Sequence, residues 1–360
     1  MRKLELAQLT PGLIVADNVF NYNKQLILPI GTKLSNKTIT KLAFYSISNI
    51  YVEDEKPIEV IKASQISQSY SERIKNSPEF QRFAVEFEKD VRKFKKVMNA
   101  VVKQHAPFDI NDLMQDVLAL LHNNEKGKVH IFEILNNMRQ FDDLTYAHSI
   151  NVALICNIFA GWLGMSKEET NLVTQCGLLH DMGKLKVPEK IIKKPGKLTN
   201  EEFNVIKTHP LSGYEILSRY KINPHIINAA MMHHEKCDGS GYPLSLKGDK
   251  IDKFAKIVSI ADVYDAMTSV RVYRGAMCPF KVIEIFEQEG LQKYDTHYII
   301  TFIENVLNTY IQNRVRLTDG RVGEIVMINK RKLSRPLIRC GTEYVDLSKE
   351  PLSLGIAEIV

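Results

Sequence analysis

Cysteine is scarce and unpatterned in this chain: Cys156, Cys176, Cys237, Cys278 and Cys340 are five in number, scattered, and form no CxxC pair. That argues against a disulfide framework and a zinc finger, and it suits a reducing compartment. Long apolar runs are missing as well. No stretch approaches the roughly 18 apolar residues that a membrane-spanning helix needs. The opening Met1-Arg2-Lys3-Leu4-Glu5 leads into polar sequence without the apolar core of a secretory signal. A cytoplasmic location without a membrane span is therefore expected. Low-complexity tracts and internal repeats are lacking, and so is a strong charge bias, since 48 basic against 42 acidic side chains leave a net +6. Such an excess suits an anionic small molecule, but it is equally what a solvated basic face would give. A DNA or RNA polymer is not expected as a partner.

What is present is ordinary globular composition, 44% hydrophobic and 25% charged, over 360 residues, a length that usually makes two or three domains. Residues 1–60 read as a small regulatory α/β domain. Short apolar runs at 13–15, 26–28 and 50–52 are separated by Pro11-Gly12 and Pro29-Ile30-Gly31, and Ser35 stands where it can cap a short helix through Leu42 and Phe44. Residues 61–124 read as a linker followed by amphipathic helices, with Phe83, Phe87, Val91, Phe94 and Met98 at helical spacing. Residues 125–315 show helix after helix and no alternating strand, enough to bury a substantial core. From 316 to 360, Gly320, Gly323, Pro336 and Gly341 punctuate short β-type runs at 322–328, 337–340 and 344–347. The expected fold class is mainly α: an all-helical bundle with a small N-terminal α/β domain and a short C-terminal β appendage.

The chemistry concentrates on histidine and aspartate. Gly177-Leu178-Leu179-His180-Asp181-Met182-Gly183-Lys184 places His180 and Asp181 at the end of an apolar helix. A buried Asp there costs several kcal/mol unless it is paired or bound to a metal. Gly183 is expected to let the backbone turn, leaving Lys184 near the site. Met231-Met232-His233-His234-Glu235 puts two imidazoles at the end of another apolar helix, followed by a shaped loop, Asp238-Gly239-Ser240-Gly241-Tyr242-Pro243. His209 precedes Pro210, His148 opens an apolar helix, and Asp262 is an acid within the otherwise apolar run 257–263. Taken singly, each has an ordinary structural explanation as a hydrogen-bonded pair, a core histidine or a plain turn. Together they are hard to explain by chance. Seven nitrogen and oxygen donors exceed the four of one zinc site. They suit two six-coordinate ions sharing a carboxylate, with iron, manganese or zinc as candidates and phosphoester hydrolysis as the associated chemistry.

These residues resemble the HD-GYP family of cyclic di-GMP phosphodiesterases, a branch of the HD-domain metal phosphohydrolases. The resemblance runs over about 125–315 through His148-Ser149, His180-Asp181-Met182-Gly183-Lys184, Lys194-Pro195-Gly196, His209-Pro210, His233-His234-Glu235 with Asp238 to Pro243, and Ala261-Asp262-Val263-Tyr264-Asp265 leading to Thr268-Ser269. It implies an HD-type helical bundle and hydrolysis of cyclic di-GMP to linear pGpG, then to GMP, by a hydroxide that two divalent ions activate. Iron or manganese is implied first, with zinc, nickel or magnesium able to occupy a preparation. The resemblance implies that Asp181 bridges the ions, that His148, His180 and Asp262 complete one, and that His209, His233 and His234 complete the other. Lys184 would hold the phosphate, as would Arg271 and Arg274, which would also contact guanine. Gly241, Tyr242 and Pro243 would shape the substrate mouth and offer a surface to a diguanylate cyclase or another signalling protein. A homodimer through the helical region is compatible with this reading.

Two departures from the family pattern bear on it. Leu144 stands where some members carry a Glu that binds a third ion, so two ions are expected. Val270-Arg271-Val272-Tyr273-Arg274 replaces the common Asp-Arg-Pro-Tyr-Arg, which leaves another cyclic dinucleotide, 3′,3′-cyclic GMP-AMP, or a receptor role as alternatives. The N-terminal stretch around Leu26 to Thr32 and Tyr51-Val52 is similar to a small domain found ahead of HD-GYP domains.

Overall fold

The computed structural model describes residues 1–10, 12–20, 26–35, 38–39, 41–42, 47, 49–53, 70–122, 130–138, 144–269 and 277–360. The chain divides into two compact units, Met1–Ser67 and Gln68–Val360.

In the first unit, β1 (Arg2–Glu5) pairs antiparallel with β4 (Asn49–Val52), and β2 (Val19–Phe20) pairs with β3 (Leu26–Leu28). Ile50 and Val52 point into the core while Tyr51 points out, the two-residue alternation of a strand with one face covered. They meet Val15, Val19, Ile27, Leu28, Leu34 and Leu42. Ser35 does cap the next turn, its hydroxyl accepting from Thr38 N at 3.2 Å. Phe44 lies outside the described residues. β1 escapes a reading of the sequence because Arg2-Lys3-Leu4-Glu5 has one apolar residue and becomes a strand only by pairing with β4.

The second unit begins with helices. Ser77 caps the Pro78–Gln104 helix by accepting from Phe80 N, and Pro78 occupies the first turn, where its missing N–H costs nothing. Phe83, Phe87, Val91, Phe94 and Met98 form its buried stripe, as their spacing predicts. They share a core with the Leu144–Trp162 helix, which is buried along almost its whole length and so takes a central position. The Lys167–Leu179 helix starts at a capping box between Ser166 and Glu169 and packs on that central helix at Gly177. A Cβ there would sit 3.0 Å from Ala153 Cα, so glycine sets how closely the two helices approach. The Lys253–Thr268 helix, capped by Asp252, is the third buried element. These three central helices bring His148, His180-Asp181 and Asp262 together.

At the C-terminal end β5 (Arg314–Leu317), β6 (Val322–Met327), β7 (Leu337–Cys340), β8 (Glu343–Asp346) and β9 (Ile356–Ile359) form one antiparallel sheet in the order β8-β7-β6-β5-β9. Val315, Ile325, Ile338 and Val345 belong to the same core as the helices. Arg335 ties the connection from β8 to β9 by donating to the carbonyls of Leu347, Glu350, Pro351 and Leu354. The architecture is mainly helical with a small terminal sheet, the expected class. Among the described residues no helix is long and apolar enough to cross a membrane.

Candidate metal centre

The seven donors come from five places in the chain. His148 lies one turn inside the Leu144–Trp162 helix, which starts earlier than the sequence suggests. His180 and Asp181 follow the Lys167–Leu179 helix and lead into a 3-10 turn, Met182–Lys186. His209 begins the His209–Leu217 helix. His233 ends the Pro224–Met232 helix, with His234 next to it, and Asp262 lies midway along Lys253–Thr268. Gly183 explains one juxtaposition, for a reason other than the turn expected of it. A Cβ on Gly183 would fall 1.8 Å from His209 O and 2.5 Å from Gly213 N. Only glycine lets the two backbones touch, and that contact seats His209 beside Asp181.

In four of the five histidines one ring nitrogen is engaged from behind. Nδ1 of His180 meets Gly177 O at 2.6 Å, Nδ1 of His209 meets Ile206 O at 2.7 Å, and Nδ1 of His233 meets the carbonyls of Ala229 and Ala230 at 3.0 Å. Nδ1 of His148 meets Asp265 Oδ2 at 2.6 Å. Carbonyls and carboxylates accept, so each Nδ1 carries the proton and each Nε2 lone pair faces inward. His234 instead stacks its ring on Tyr242, with centroids 4.7 Å apart and planes 23° apart.

Asp181 stands at the middle, and its two oxygens face different partners. Oδ2 lies 3.6 Å from His148 Nε2 and 3.4 Å from His180 Nε2. Oδ1 lies 3.4 Å from His209 Nε2 and 3.7 Å from His233 Nε2. Asp262 Oδ1 lies 2.9 Å from His148 Nε2 and 3.9 Å from His180 Nε2. Three overlapping groups thus bring their donor atoms within 4.8 Å of one another: His148 with His180 and Asp262, His209 with His233 and His234, and His180 with Asp181 and His233. His180 Nε2 and Asp181 Oδ1 are buried and have no hydrogen-bond partner. A native interior leaves few such atoms without a reason. Here they point at each other's neighbours across a gap lined by unprotonated nitrogen and carboxylate oxygen, which fits divalent cations.

The electrostatics agree with the geometry. Burial, with the neighbouring imidazoles, lowers His233 well below the usual histidine range; burial lowers His209 to about 4 and His234 to about 3. All three are neutral, as ligands must be. Burial opposes ionisation of Asp181, but the Lys184 ammonium beside it holds the carboxyl well below its ordinary range. Asp262, with His148 Nε2 2.9 Å from its Oδ1, is likewise held well below its ordinary range against the opposing effect of burial. Lys184 Nζ reaches Asp181 Oδ2 at 2.5 Å, and its side chain as a whole is 20% exposed.

The loop after His234 is held by Glu235. Its buried carboxylate accepts from Leu244 N at 2.6 Å and Leu246 N at 2.8 Å. Gly241 passes so close to the backbone of Glu235 and Lys236 that a Cβ would come within 2.4 Å of both. Tyr242 N donates to His234 O at 3.3 Å, and the Tyr242-Pro243 bond is cis. The loop therefore lays Tyr242 against His234. Arg271 and Arg274 lie outside the described residues.

Three supporting residues had no role assigned from the sequence, although Glu235 and Asp265 lie within its motifs. Asp265 holds His148, Asn151 Nδ2 donates to Asp265 Oδ1 at 3.0 Å, and Glu235 clamps the loop. A signal existed for the first two. Asn151 follows His148 by three residues and Asp265 follows Asp262 by three, so each pair shares one helix face.

Comparison with known proteins agrees with this picture. Residues 129–298 match the family model described as HD domain. The chain is similar to the cyclic di-GMP phosphodiesterase response regulator RpfG of Xanthomonas campestris pv. campestris, 38% identical over 46% of this chain and 44% of that protein. It is similar to the cyclic di-GMP phosphodiesterase PA4108 of Pseudomonas aeruginosa, 32% identical over 62% of this chain and 54% of that protein. It is also similar to the 3′3′-cGAMP-specific phosphodiesterase 1 of Vibrio cholerae, 40% identical over 40% of this chain and 34% of that protein. The chain thus spans about half the length of the first two relatives and about a third of the last. The likeness to the HD-GYP family drawn from the motifs is borne out.

Proposed function

We propose that this chain, whose residues 129–298 match the family model described as HD domain, is a metal-dependent phosphodiesterase that opens a cyclic dinucleotide, cyclic di-GMP first, to a linear product and then to mononucleotide. One observation carries the reading: the carboxylate of Asp181 divides between two imidazole groups, Oδ2 toward His148 and His180 and Oδ1 toward His209 and His233. That is the arrangement of a carboxylate bridging two cations. His148, His180 and Asp262 would complete one site, and His209, His233 and His234 the other. A donor set of imidazole and carboxylate without thiolate suits iron or manganese, with zinc, nickel or magnesium as other occupants.

When bound, two such ions polarise a phosphoryl oxygen and ready a water for in-line attack. The chain's own residues do the rest. His209, His233 and His234 stay unprotonated and so remain available as ligands down to mildly acidic pH. Lys184, anchored on Asp181 by a partly exposed side chain, donates to the phosphoryl oxygen on which charge grows. Gly241, Tyr242 and Pro243 wall the mouth next to His234. Arg271 and Arg274 remain candidates for phosphate and guanine contacts, and the Gly241-Tyr242-Pro243 loop for a diguanylate cyclase or other signalling partner. A cytoplasmic setting and a homodimer belong to the same proposal.

The likeness to a 3′3′-cGAMP-specific enzyme keeps that substrate as the second reading. The experiment is turnover of cyclic di-GMP and 3′,3′-cyclic GMP-AMP side by side, using protein purified without oxygen and loaded with Fe(II) or Mn(II), with pGpG resolved from GMP. Metal-dependent loss of one substrate supports the reading and fixes the preference. Protein holding about two ions per chain, as a two-metal site requires, that cleaves neither would overturn it in favour of a receptor.

A further inference from the structure

Lys207 stands two residues before His209, half-buried, at the end of the Asn200–Ile206 helix. Its ammonium lies 4.8 Å from the ring centroid of Phe203 and 5.4 Å from that of Tyr242. The first contact is local, one helical turn away. The second reaches a loop distant in sequence, and it ties Lys207 to the metal centre. Tyr242 stacks on His234 at 4.7 Å. Burial and the charges of Asp262 and Asp181 push its phenol up. One aromatic ring therefore separates Lys207 from the candidate ligands.

Three other lysines of this region are ion-paired. Lys184 is paired with Asp181, Lys193 with Glu189 and Lys194 with Glu202. Among the described residues the Lys207 ammonium has rings and no carboxylate. A half-buried cation without an anion is a seat for an anionic ligand. Beside it the Phe203 ring is 44% exposed. A lone exposed ring needs no explanation, but a flat ring next to an unpaired cation, at the edge of a phosphodiester site, is the pairing that binds a nucleotide through base stacking and phosphate contact. A cyclic dinucleotide has two phosphates, and only one can lie at the metal centre during a cleavage step. The other still needs a counter-charge.

We infer that Phe203 and Lys207 form a second nucleotide subsite, in which Lys207 takes the phosphate that is not being cleaved and Phe203 stacks the adjacent base. This rests on the phosphodiesterase reading above. The test compares the Mn(II)-loaded full chain with its Lys207→Gln, Lys207→Arg and Phe203→Leu variants. Two substrates are used: cyclic di-GMP, and bis(4-nitrophenyl) phosphate, which offers one diester and no second phosphate. Cyclic di-GMP binding is measured separately by calorimetry, and bound metal is counted in each variant.

Lys207→Gln and Phe203→Leu are each expected to raise KM and Kd for cyclic di-GMP by about tenfold, the size of one lost stacking or charged contact. The loss on the small diester should be much smaller, Lys207→Arg should recover most of the affinity, and bound metal should stay at the wild-type level. Equal Kd values for wild type and Lys207→Gln would overturn the subsite. So would parallel losses on both substrates, since these would place the effect at His209. A wild-type chain that binds cyclic di-GMP but cleaves neither substrate would overturn the phosphodiesterase reading alone, and the Kd comparison would still decide the subsite. If the wild type neither binds nor cleaves, both fall.

Discussion

Asp265 Oδ2 receives the Nδ1 proton of His148 at 2.6 Å, which fixes the imidazole with its Nε2 toward Asp262 and Asp181. Asp265 is itself held, by Asn151 Nδ2 at 3.0 Å and Ser269 Oγ at 3.1 Å, inside the same buried helix that carries Asp262. One helix thus supplies both a candidate ligand and the group that orients another ligand. Carboxylate–histidine–metal relays of this kind raise the basicity of the imidazole and hold its tautomer.

Asp265→Ala is therefore expected to weaken metal binding by about 10- to 100-fold while leaving the fold assembled. The check is Mn(II) bound per chain across a metal titration, read with the far-UV spectrum. Unchanged binding would show that His148 does not need its carboxylate partner.

Gly183→Ala should act on stability. The new methyl would meet backbone atoms, His209 O and Gly213 N, which cannot move aside as a side chain end can. A loss above about 3 kcal/mol is expected from such overpacking, together with loss of metal at the His209 side. Urea unfolding of the metal-free protein measures the first and metal analysis the second. A variant as stable as wild type would mean that the Met182–Lys186 turn is free to shift.

Glu235→Ala removes the acceptor of two part-buried N–H groups, those of Leu244 and Leu246. The expected cost is about 2–4 kcal/mol, since each was bonded to a carboxylate. Glu235→Gln, which keeps the volume and one oxygen, should cost less. Because the clamp lays Tyr242 on His234, both variants should raise KM more than they lower kcat. Denaturation midpoints and steady-state kinetics of the pair decide this.

The metal-free protein should lose stability in mild acid. Burial depresses His209 to about 4 and His234 to about 3, whereas the unfolded chain protonates histidine near 6.5. Between about pH 6.5 and 4 the unfolded state binds more protons than the folded one, so stability rises with pH across that window and these groups add no slope above it. Urea midpoints taken from pH 4 to 8 should climb and then level. A flat profile below pH 6.5 would mean that these imidazoles are not buried neutral.

Much of the candidate centre was legible before any coordinates. His-Asp after an apolar helix, His-His before a glycine loop and an acid inside the apolar run 257–263 are local exceptions to burial rules, and an exception stands out in a linear sequence. Helix positions were equally local, because the stripe from Phe83 to Met98 is fixed by a 3.6-residue period. β1 and β9 were not legible. Each is a short, mixed stretch that becomes a strand only through its partner, β4 or β5.

The sequence by itself determined which side chains could be ligands, and roughly where the helices that carry them begin and end, because both depend on residues close together in the chain. Only the tertiary structure decided how those ligands divide. The split of Asp181 between two imidazole groups, the grip of Asp265 on His148, the glycine contact that seats His209 and the placement of Lys207 over Tyr242 all join residues far apart in sequence. Such contacts follow from how helices pack and which backbones can touch, and packing is a property of the assembled core rather than of any one segment.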